Sequence, residues 1–173
     1  MYKTLIRPVL FKFNPEVAHN LTLNGLKVLR RIPFARNIVR LIYKREHPNL
    51  EREVFGIKFP NPVGLAGGLD KNGEVYNELS DFGFGFVEIG SLTAKPQPGN
   101  PKPRLFRVVK DKAIINRMGI NNHGVTQAIR NINSNHPRVI IAGNIAPNSS
   151  SQGEQVTEDY KTAFSLLYDF VDM

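Results

Sequence analysis

The sequence predicts an α/β fold in which short apolar strands alternate with helices, preceded by a small helical segment. From Val54 onward, short apolar runs are separated by Gly and Pro, a pattern typical of buried strands and turns. Residues 1–45 instead carry their apolar side chains at helical spacing. Because strands that alternate with helices form βα units, we expect a parallel sheet.

Residues 1–45 are predicted to form two or three short amphipathic helices. Their apolar stripes comprise Leu5, Ile6, Val9, Leu10 and Phe13, and then Val17, Leu21, Val28 and Leu29. Asn14 and Pro15 indicate a helix cap and first turn, and Pro33 opens a third segment. No apolar run approaches the roughly 20 residues that cross a bilayer. A signal peptide pattern is also missing, so we expect this region to stay on the mature protein.

The net charge of +8 is concentrated at the amino terminus. Residues 1–45 hold ten basic residues and one acid, a balance of +9, whereas residues 46–173 hold 13 basic and 14 acidic residues. Basic helices with large apolar faces either lie in a membrane interface or pack against a partner helix, and the pattern alone leaves both open. Nucleic acid is disfavoured as a partner because the cations accompany apolar stripes instead of an aromatic, solvent-facing strip.

After a polar linker over residues 46–52, the predicted elements follow in βα order. They are a hairpin arm over 54–59, a strand over 62–65, a helix over 74–82, a strand over 86–89, a helix over 125–132, a strand over 139–142, and a helix over 157–171 that Thr157 and Glu158 open. Since chemistry in such sheets lies where the strands end, the residues that follow each strand are the candidates for a site.

Three predicted strands end in segments that could carry chemistry. The glycine-rich turn 66–73 lets backbone N–H groups approach a flat or anionic ligand, and Lys71 would add a positive charge. The turn matches neither a Walker loop nor the GxGxxG fingerprint, so a tight turn with a surface lysine is the alternative. Ser91 ends the next strand, and Asn144 follows the strand over 139–142.

Two further segments are rich in polar groups. Residues 96–107 contain so many prolines that the loop is stiff and not helical, and its three cations favour a wall of a site. Residues 115–122 place three Asn side chains and Arg117 beside a glycine. Amides both donate and accept hydrogen bonds, which suits an imide or carboxylate-bearing ring. An Asn-rich turn is the alternative.

The absence of cysteine excludes disulfides, thiolate metal sites and a cysteine nucleophile. The four histidines show no metal-ligand spacing, and neither paired carboxylates nor a catalytic triad is evident, so no metal site and no hydrolytic machinery is predicted. His19 lies on a predicted helix beside an apolar stripe, a position more typical of a packed histidine than of a functional one.

Together these segments resemble the class 2, quinone-dependent dihydroorotate dehydrogenases. The matching segments are residues 14–19, 61–71, 82–91, the proline-rich loop to Arg107, and 115–122, in the family's order. The resemblance implies the amino-terminal part of a (β/α)8 TIM barrel, preceded by a small amphipathic helical domain. The expected boundaries are 1–45 for the helical domain, 46–52 for the linker and 53–173 for the first part of an FMN-binding barrel.

The resemblance also implies a flavoprotein that oxidises dihydroorotate to orotate for pyrimidine synthesis and passes the electrons through FMN to membrane quinone. The residues it assigns to FMN are Gly67, Gly68, Leu69, Asp70, Lys71, Ser91 and Asn144. Those it assigns to the substrate are Lys71, Asn116, Arg117, Met118, Gly119 and Ile120. His19 and Arg107 match positions that flank the quinone site. The basic helices would attach the protein peripherally to a membrane, in a bacterium the cytoplasmic face of the inner membrane.

The sequence departs from the family's pattern in two places. After Asn144, Ala146-Pro147-Asn148 and three serines replace the family's Gly-Lys-Asn stretch, which predicts a locally altered loop. The serine base of class 2 members, in an Asn-x-Ser-x-Pro-Asn segment, is expected beyond Met173, as are the strands that complete a barrel of about 200 to 250 residues. We therefore expect residues 1–173 alone to be incomplete and inactive. The alternative is a shortened, non-catalytic remnant that binds a membrane surface or a partner.

Overall fold

The computed structural model describes residues 2–173, which form an amino-terminal helical part followed by an α/β body. A π-helical turn, Tyr2–Ile6, runs into α1 (Arg7–Leu10), which α2 (Pro15–Leu29) and α3 (Ala35–Tyr43) follow. The predicted cap is confirmed, because the Asn14 side-chain oxygen accepts a hydrogen bond from the Glu16 N–H at 2.9 Å. No helix within residues 2–173 is long and apolar enough to cross a membrane.

Seven strands and three more helices follow. The strands are β1 (Arg52–Val54), β2 (Ile57–Phe59), β3 (Gly64–Leu65), β4 (Phe86–Leu92), β5 (Leu105–Val108), β6 (Ala113–Asn116) and β7 (Ile140–Ile145). The helices are α4 (Tyr76–Ser80), α5 (Val125–Ser134) and α6 (Glu154–Leu167). β3, β4 and β7 form a parallel sheet in that order, whereas β1 with β2 and β5 with β6 form antiparallel hairpins. The predicted parallel sheet is therefore confirmed.

The core lies between one face of the parallel sheet and the helices that connect its strands. Val87 and Ile89 alternate along β4 and are fully buried, whereas Glu88 between them is only half-buried. The buried core comprises Leu26, Val75, Tyr76, Leu79, Val87, Ile89, Leu92, Val125, Ala128, Ile132, Ile141 and Leu167. Leu26 belongs to α2, so the helical part contributes to the same core as the sheet.

Ion pairs also attach the helical part to the body. Lys27 Nζ of α2 lies 2.5 Å from a carboxylate oxygen of Glu74. Arg36 and Arg40 of α3 both bind Asp81, and the Arg40 Nε lies 2.6 Å from it. Because the Asp81 side chain is fully buried, these contacts fix α3 against the end of α4.

The last predicted helix is present, but its bounds differ from the predicted ones. It begins at Glu154 instead of Thr157, and after Leu167 it gives way to a 3-10 turn, Tyr168–Phe170. Gly153, with φ of +56°, reverses the chain directly before the first helical turn, which the sequence pattern did not reveal. The predicted helix over 74–82 is also shorter, since α4 spans only Tyr76–Ser80.

Two other segments differ from the predicted elements. The hairpin of β5 and β6 was not predicted, because the prolines of 96–107 suggested a continuous loop, whereas the last of them, Pro103, precedes the first strand. Lys112, with φ of +52°, reverses the chain between the two strands. The linker over 46–52 contains a 3-10 turn, Pro48–Leu50, and its last residue begins β1.

Candidate active site

The loops that follow the parallel strands lie together at the carboxyl edge of the sheet. The Gly68 N–H donates a hydrogen bond to the Gly90 carbonyl at 2.8 Å, and the Gly90 N–H donates to the Asp70 carbonyl at 3.1 Å. These two bonds join the glycine-rich turn after β3 to the end of β4. The turn is thereby fixed close to Ser91, at the strand ends where the sequence predicted a site.

A cavity of about 310 Å³ lies between these loops, and we call it the strand-end cavity. Its walls are Gly68, Lys71, Ser91 and residues 116–121. The volume falls at the lower end of the range of about 300–1,000 Å³ typical of small-molecule sites. The cavity brings together three of the seven residues assigned to FMN and all six residues assigned to the substrate.

The backbone of this cavity adopts left-handed conformations at three wall positions. Gly119 and Ile120 have φ of +73° and +51° in succession, and Gly68 has φ of +103°. A Cβ on Gly119 would lie 2.9 Å from atoms of Asn100, so only glycine fits there. A left-handed Ile costs about 1–3 kcal/mol and persists only where the surroundings hold it. The wall is therefore a constrained segment and not a relaxed turn.

Lys71 brings a positive charge to the strand-end cavity. Its Nζ donates a hydrogen bond to the Gly68 carbonyl at 2.5 Å. Burial lowers the pKa of Lys71 from its ordinary value, Glu16 acts in the opposite direction, and Arg104 lowers it further. Since its hydrogen-bond partner is a neutral carbonyl, the ammonium can still pair with a ligand anion.

Leu69 and Asp70, both assigned to FMN, lie outside the strand-end cavity. Asp70 is buried, and its carboxylate accepts hydrogen bonds from the Glu74 and Val75 N–H groups, both at 2.8 Å. It therefore stabilises the start of α4, and burial raises its pKa. Leu69 packs against the margin of the core. Both residues shape the glycine-rich turn.

Gly67 and Asn144, also assigned to FMN, meet each other beside Glu88. The Asn144 Nδ2 donates a hydrogen bond to the Glu88 Oε1 at 2.5 Å. A Cβ on Gly67 would lie 2.8 Å from that oxygen and 3.5 Å from the Asn144 Nδ2. Glycine at position 67 therefore allows the close approach of the turn to β4 and β7.

A second cavity, of about 340 Å³, lies between α2 and the same loops, and we call it the helix-side cavity. Lys71, Met118 and Asn121 line both cavities, so these three side chains form their common wall. His19 lines the helix-side cavity. Burial and then the nearby Lys71 lower its pKa, which favours a neutral imidazole.

Arg107 lies outside the walls of both cavities. Its guanidinium donates hydrogen bonds to the Phe13 carbonyl at 2.7 Å and the Leu10 carbonyl at 3.3 Å, and it stacks over the Phe11 ring at 4.5 Å. It therefore holds the end of α1 against β5. The structure does not bring Arg107 and His19, the two residues matched to the quinone site, around one cavity.

Asn122, which the sequence predicted only as one Asn of the polar segment 115–122, has a structural role. Its Oδ1 accepts hydrogen bonds from the N–H groups of Gly124 at 2.8 Å and Thr93 at 3.2 Å, and its Nδ2 donates to the Ile120 carbonyl at 2.8 Å. The only available signal was its place in an Asn-rich run. Within residues 2–173, no group of three or more His, Asp or Glu side chains could hold a metal ion.

Comparison with known proteins identifies the family. The family model described as dihydroorotate dehydrogenase matches residues 49–173. The chain belongs to the dihydroorotate dehydrogenase family. A relative from Christiangramia forsetii, named dihydroorotate dehydrogenase (quinone), is 52% identical over 99% of this chain and 50% of its own length. A relative of the same name from Methylococcus capsulatus is 42% identical over 98% of this chain and 48% of its own length.

A solved structure of the family has the same architecture. The dihydroorotate dehydrogenase of Eimeria tenella, crystallised in complex with ferulenol, superposes with a TM-score of 0.76 at 34% identity, covering 91% of this chain and 42% of that protein. The expectation of a partial TIM barrel preceded by helices is thus confirmed. The chain spans about half the length of the curated relatives it matches.

Proposed function

We propose that this chain forms the amino-terminal part of a quinone-dependent dihydroorotate dehydrogenase, which oxidises dihydroorotate to orotate in pyrimidine synthesis and passes the electrons through FMN to membrane quinone. The observation that carries the proposal is the strand-end cavity, whose walls come from three separate segments that match the family's motifs. The relative from Christiangramia forsetii also supports the proposal, because it is named dihydroorotate dehydrogenase (quinone) and its alignment covers 99% of this chain.

The wall of the strand-end cavity suits the flat ring of FMN. No heavy atom lies within 4 Å of the point where a Cβ on Gly68 would sit, which leaves room for a flat ring against the backbone. The Asn121 Oδ1 is buried without a hydrogen-bond partner among residues 2–173, and a ligand N–H would satisfy it. When bound, FMN supplies the acceptor for the hydride that leaves C6 of dihydroorotate.

The seven FMN residues would contribute in two ways. Gly68, Lys71 and Ser91 would contact the ring from the cavity wall. Gly67, Leu69, Asp70 and Asn144 would hold the turn and the strand ends in place around it. This division follows from the contacts of the second group, which are directed to α4, the core and Glu88.

For the residues assigned to the substrate, the hydrogen bonds already made within the protein determine which donors and acceptors remain for a ligand. The Asn116 Oδ1 accepts from the Met118 N–H at 2.9 Å, which leaves the amide N–H groups to donate to a ring carbonyl. The Arg117 Nη2 donates to the Pro103 carbonyl at 2.9 Å, so this side chain anchors the loop. The Lys71 ammonium would pair with the substrate carboxylate, and the backbone of Gly119 and Ile120 would face the ring.

The base that removes the C5 proton is not assigned to a residue of this chain. The class 2 resemblance assigns it to a serine in an Asn-x-Ser-x-Pro-Asn segment, a pattern that residues 1–173 do not contain. The described residues would therefore bind and orient the substrate and place positive charge beside it, which lowers the barrier by alignment and electrostatic stabilisation.

The quinone would approach from the helical part. His19 lines the helix-side cavity, which shares a wall of three side chains with the strand-end cavity, and that proximity supports electron transfer from one to the other. Arg107 would contribute indirectly, by fixing the end of α1 against β5.

Exposed apolar side chains of the amino-terminal helical part, residues 2–43, support peripheral membrane binding. Leu5, Phe34 and Leu41 are 65%, 78% and 80% exposed, and the adjoining chain is rich in cations. Apolar side chains in this position would enter the headgroup region while nearby Lys and Arg attract anionic lipid. We place the protein on the cytoplasmic face of the inner membrane in a bacterium. The same surface supports the second candidate, a non-catalytic membrane-binding remnant.

The deciding experiment is to read the gene past codon 173 and to purify its complete product. We expect the missing serine segment, flavin absorbance near one equivalent, and reduction of a soluble quinone by dihydroorotate. A stop codon after Met173, together with a colourless protein that binds vesicles but turns over no dihydroorotate, would establish the remnant instead.

A further inference from the structure

Gln97 of the proline-rich loop lies where three loops of the site meet. Its backbone pairs with Asn122 through two hydrogen bonds of 3.0 and 3.1 Å. Its side-chain Nε2 lies within hydrogen-bond distance of the Gly119 carbonyl at 3.2 Å and the Ile120 carbonyl at 3.1 Å. One amide therefore bonds the two consecutive left-handed residues of the strand-end cavity wall.

The other side of the same amide binds the loop after β7. The Gln97 Oε1 accepts hydrogen bonds from the Ser149 N–H at 3.0 Å and the Asn148 Nδ2 at 3.1 Å. Asn148 in turn exchanges hydrogen bonds with the backbone of Lys95, at 3.1 and 2.8 Å. The loop that departs from the family's Gly-Lys-Asn pattern is thus hydrogen-bonded to the proline-rich loop beside the site.

We propose that Gln97 is a positioning residue that holds the Gly119–Ile120 wall in its substrate-binding conformation. The inference rests on the proposed function. Ile120 is in a backbone region that costs energy for a β-branched residue, so its conformation requires contacts that hold it. Gln97 donates to both carbonyls of that wall from a stiff, proline-rich segment, and its oxygen is itself fixed by Asn148 and Ser149.

The test uses the complete gene product with FMN bound and the variant Gln97→Glu. The carboxylate keeps the shape and can still accept from Asn148 and Ser149, but it has no N–H groups and faces two carbonyl oxygens. We expect the KM for dihydroorotate and the Kd for orotate to rise about tenfold or more, with FMN content unchanged. Gln152→Glu, at an exposed position outside the site, is the matched control and should behave as wild type.

The outcomes separate this inference from the proposed function. A wild-type protein that neither binds orotate nor oxidises dihydroorotate overturns both. A wild-type enzyme whose Gln97→Glu variant binds orotate normally overturns the role of Gln97 alone. Gln97→Met provides a second, uncharged test, because it also lacks the N–H groups. A fall in FMN content and active fraction with an unchanged KM in both variants would make Gln97 a folding residue and refute the positioning role.

Discussion

Replacement of Glu16 by Gln is expected to destabilise the protein by about 3 kcal/mol, because it breaks a buried ion pair. The Glu16 Oε1 lies 2.8 Å from the Arg104 Nη2, and the Oε2 lies 3.3 Å from the Nε. Glu16 and Arg104 are only 8% and 6% exposed. Removal of one partner of a buried pair costs about 3–5 kcal/mol, since the other charge stays buried. The low end applies because Arg104 keeps its bonds to the Pro98 and Asn100 carbonyls, at 2.6 and 3.0 Å.

A surface ion pair of the same length provides the control. Lys161 and Glu158 of α6 also have an N–O distance of 2.8 Å, but their side chains are 66% and 64% exposed. Glu158→Gln should therefore cost no more than about 0.5 kcal/mol. For a chain of this size about 1 kcal/mol corresponds to roughly 2–4 °C in Tm, so Glu16→Gln should lower the Tm by about 6–12 °C and Glu158→Gln by less than about 2 °C. Equal shifts in the two variants would refute the argument from burial.

The same pair predicts a pH dependence. The hydrogen bond from Arg104 holds the pKa of Glu16 below its ordinary value of 4.5. A carboxylate with a lowered pKa stabilises the fold fully above its ordinary pKa and loses that contribution as the pH falls through the lowered value. The difference in Tm between wild type and Glu16→Gln should be constant from pH 7 to about pH 5 and shrink below pH 4.5. A difference that grows on acidification would contradict this sign.

Three further predictions concern function. In the complete gene product, Lys71→Ala should reduce dihydroorotate turnover more than tenfold, since a desolvated charge beside the substrate contributes about 1–3 kcal/mol. The control Lys110→Ala, on an exposed turn, should leave turnover unchanged. Equal kinetics in the two variants would place Lys71 outside the site. The protein should float with anionic vesicles in a salt-sensitive manner, and a version that begins at Leu50 should not; equal flotation would exclude the helices as the membrane contact. Residues 1–173 expressed alone should neither retain FMN nor reduce a soluble quinone with dihydroorotate, and a stoichiometric yellow protein with turnover would refute the incomplete barrel.

The sequence predicted that the candidate site lies at the ends of the strands, because the position of a strand end depends on local sequence signals. Apolar runs that end in Gly or Asn define parallel strands, and parallel strands end at one edge. Lys71 and Ser91 therefore lie together as expected, whereas Asn116 reaches the same cavity from the end of β6 in the antiparallel hairpin, which the sequence did not predict. The structure adds what periodicity cannot supply, namely which side chains at that edge enter the cavity and which turn back to support the loops.

Long-range partners account for what the sequence could not predict. Asn144 was assigned from its position after a strand, but its contact with Glu88 depends on the register of β7 against β4. Gln97 sits among prolines, and nothing nearby in the sequence signals that it bonds residues 22 and 23 positions later. Such contacts are fixed by tertiary packing, and no local pattern in a single sequence predicts them.

Part of the amino-terminal charge is used within the protein, which composition alone could not reveal. Lys27, Arg36 and Arg40 bind the body acids Glu74 and Asp81, so these three cations hold the helices to the barrel. The balance of +9 in residues 1–45 therefore overstates the charge available to anionic lipid. In the proposed membrane contact, exposed cations outside these pairs, such as those at positions 12 and 31, would supply the attraction, and the exposed apolar side chains would add a contribution that salt does not screen. Membrane binding should accordingly weaken as salt is added but not disappear, because salt does not screen the contribution of the apolar side chains and the helices stay docked on the body.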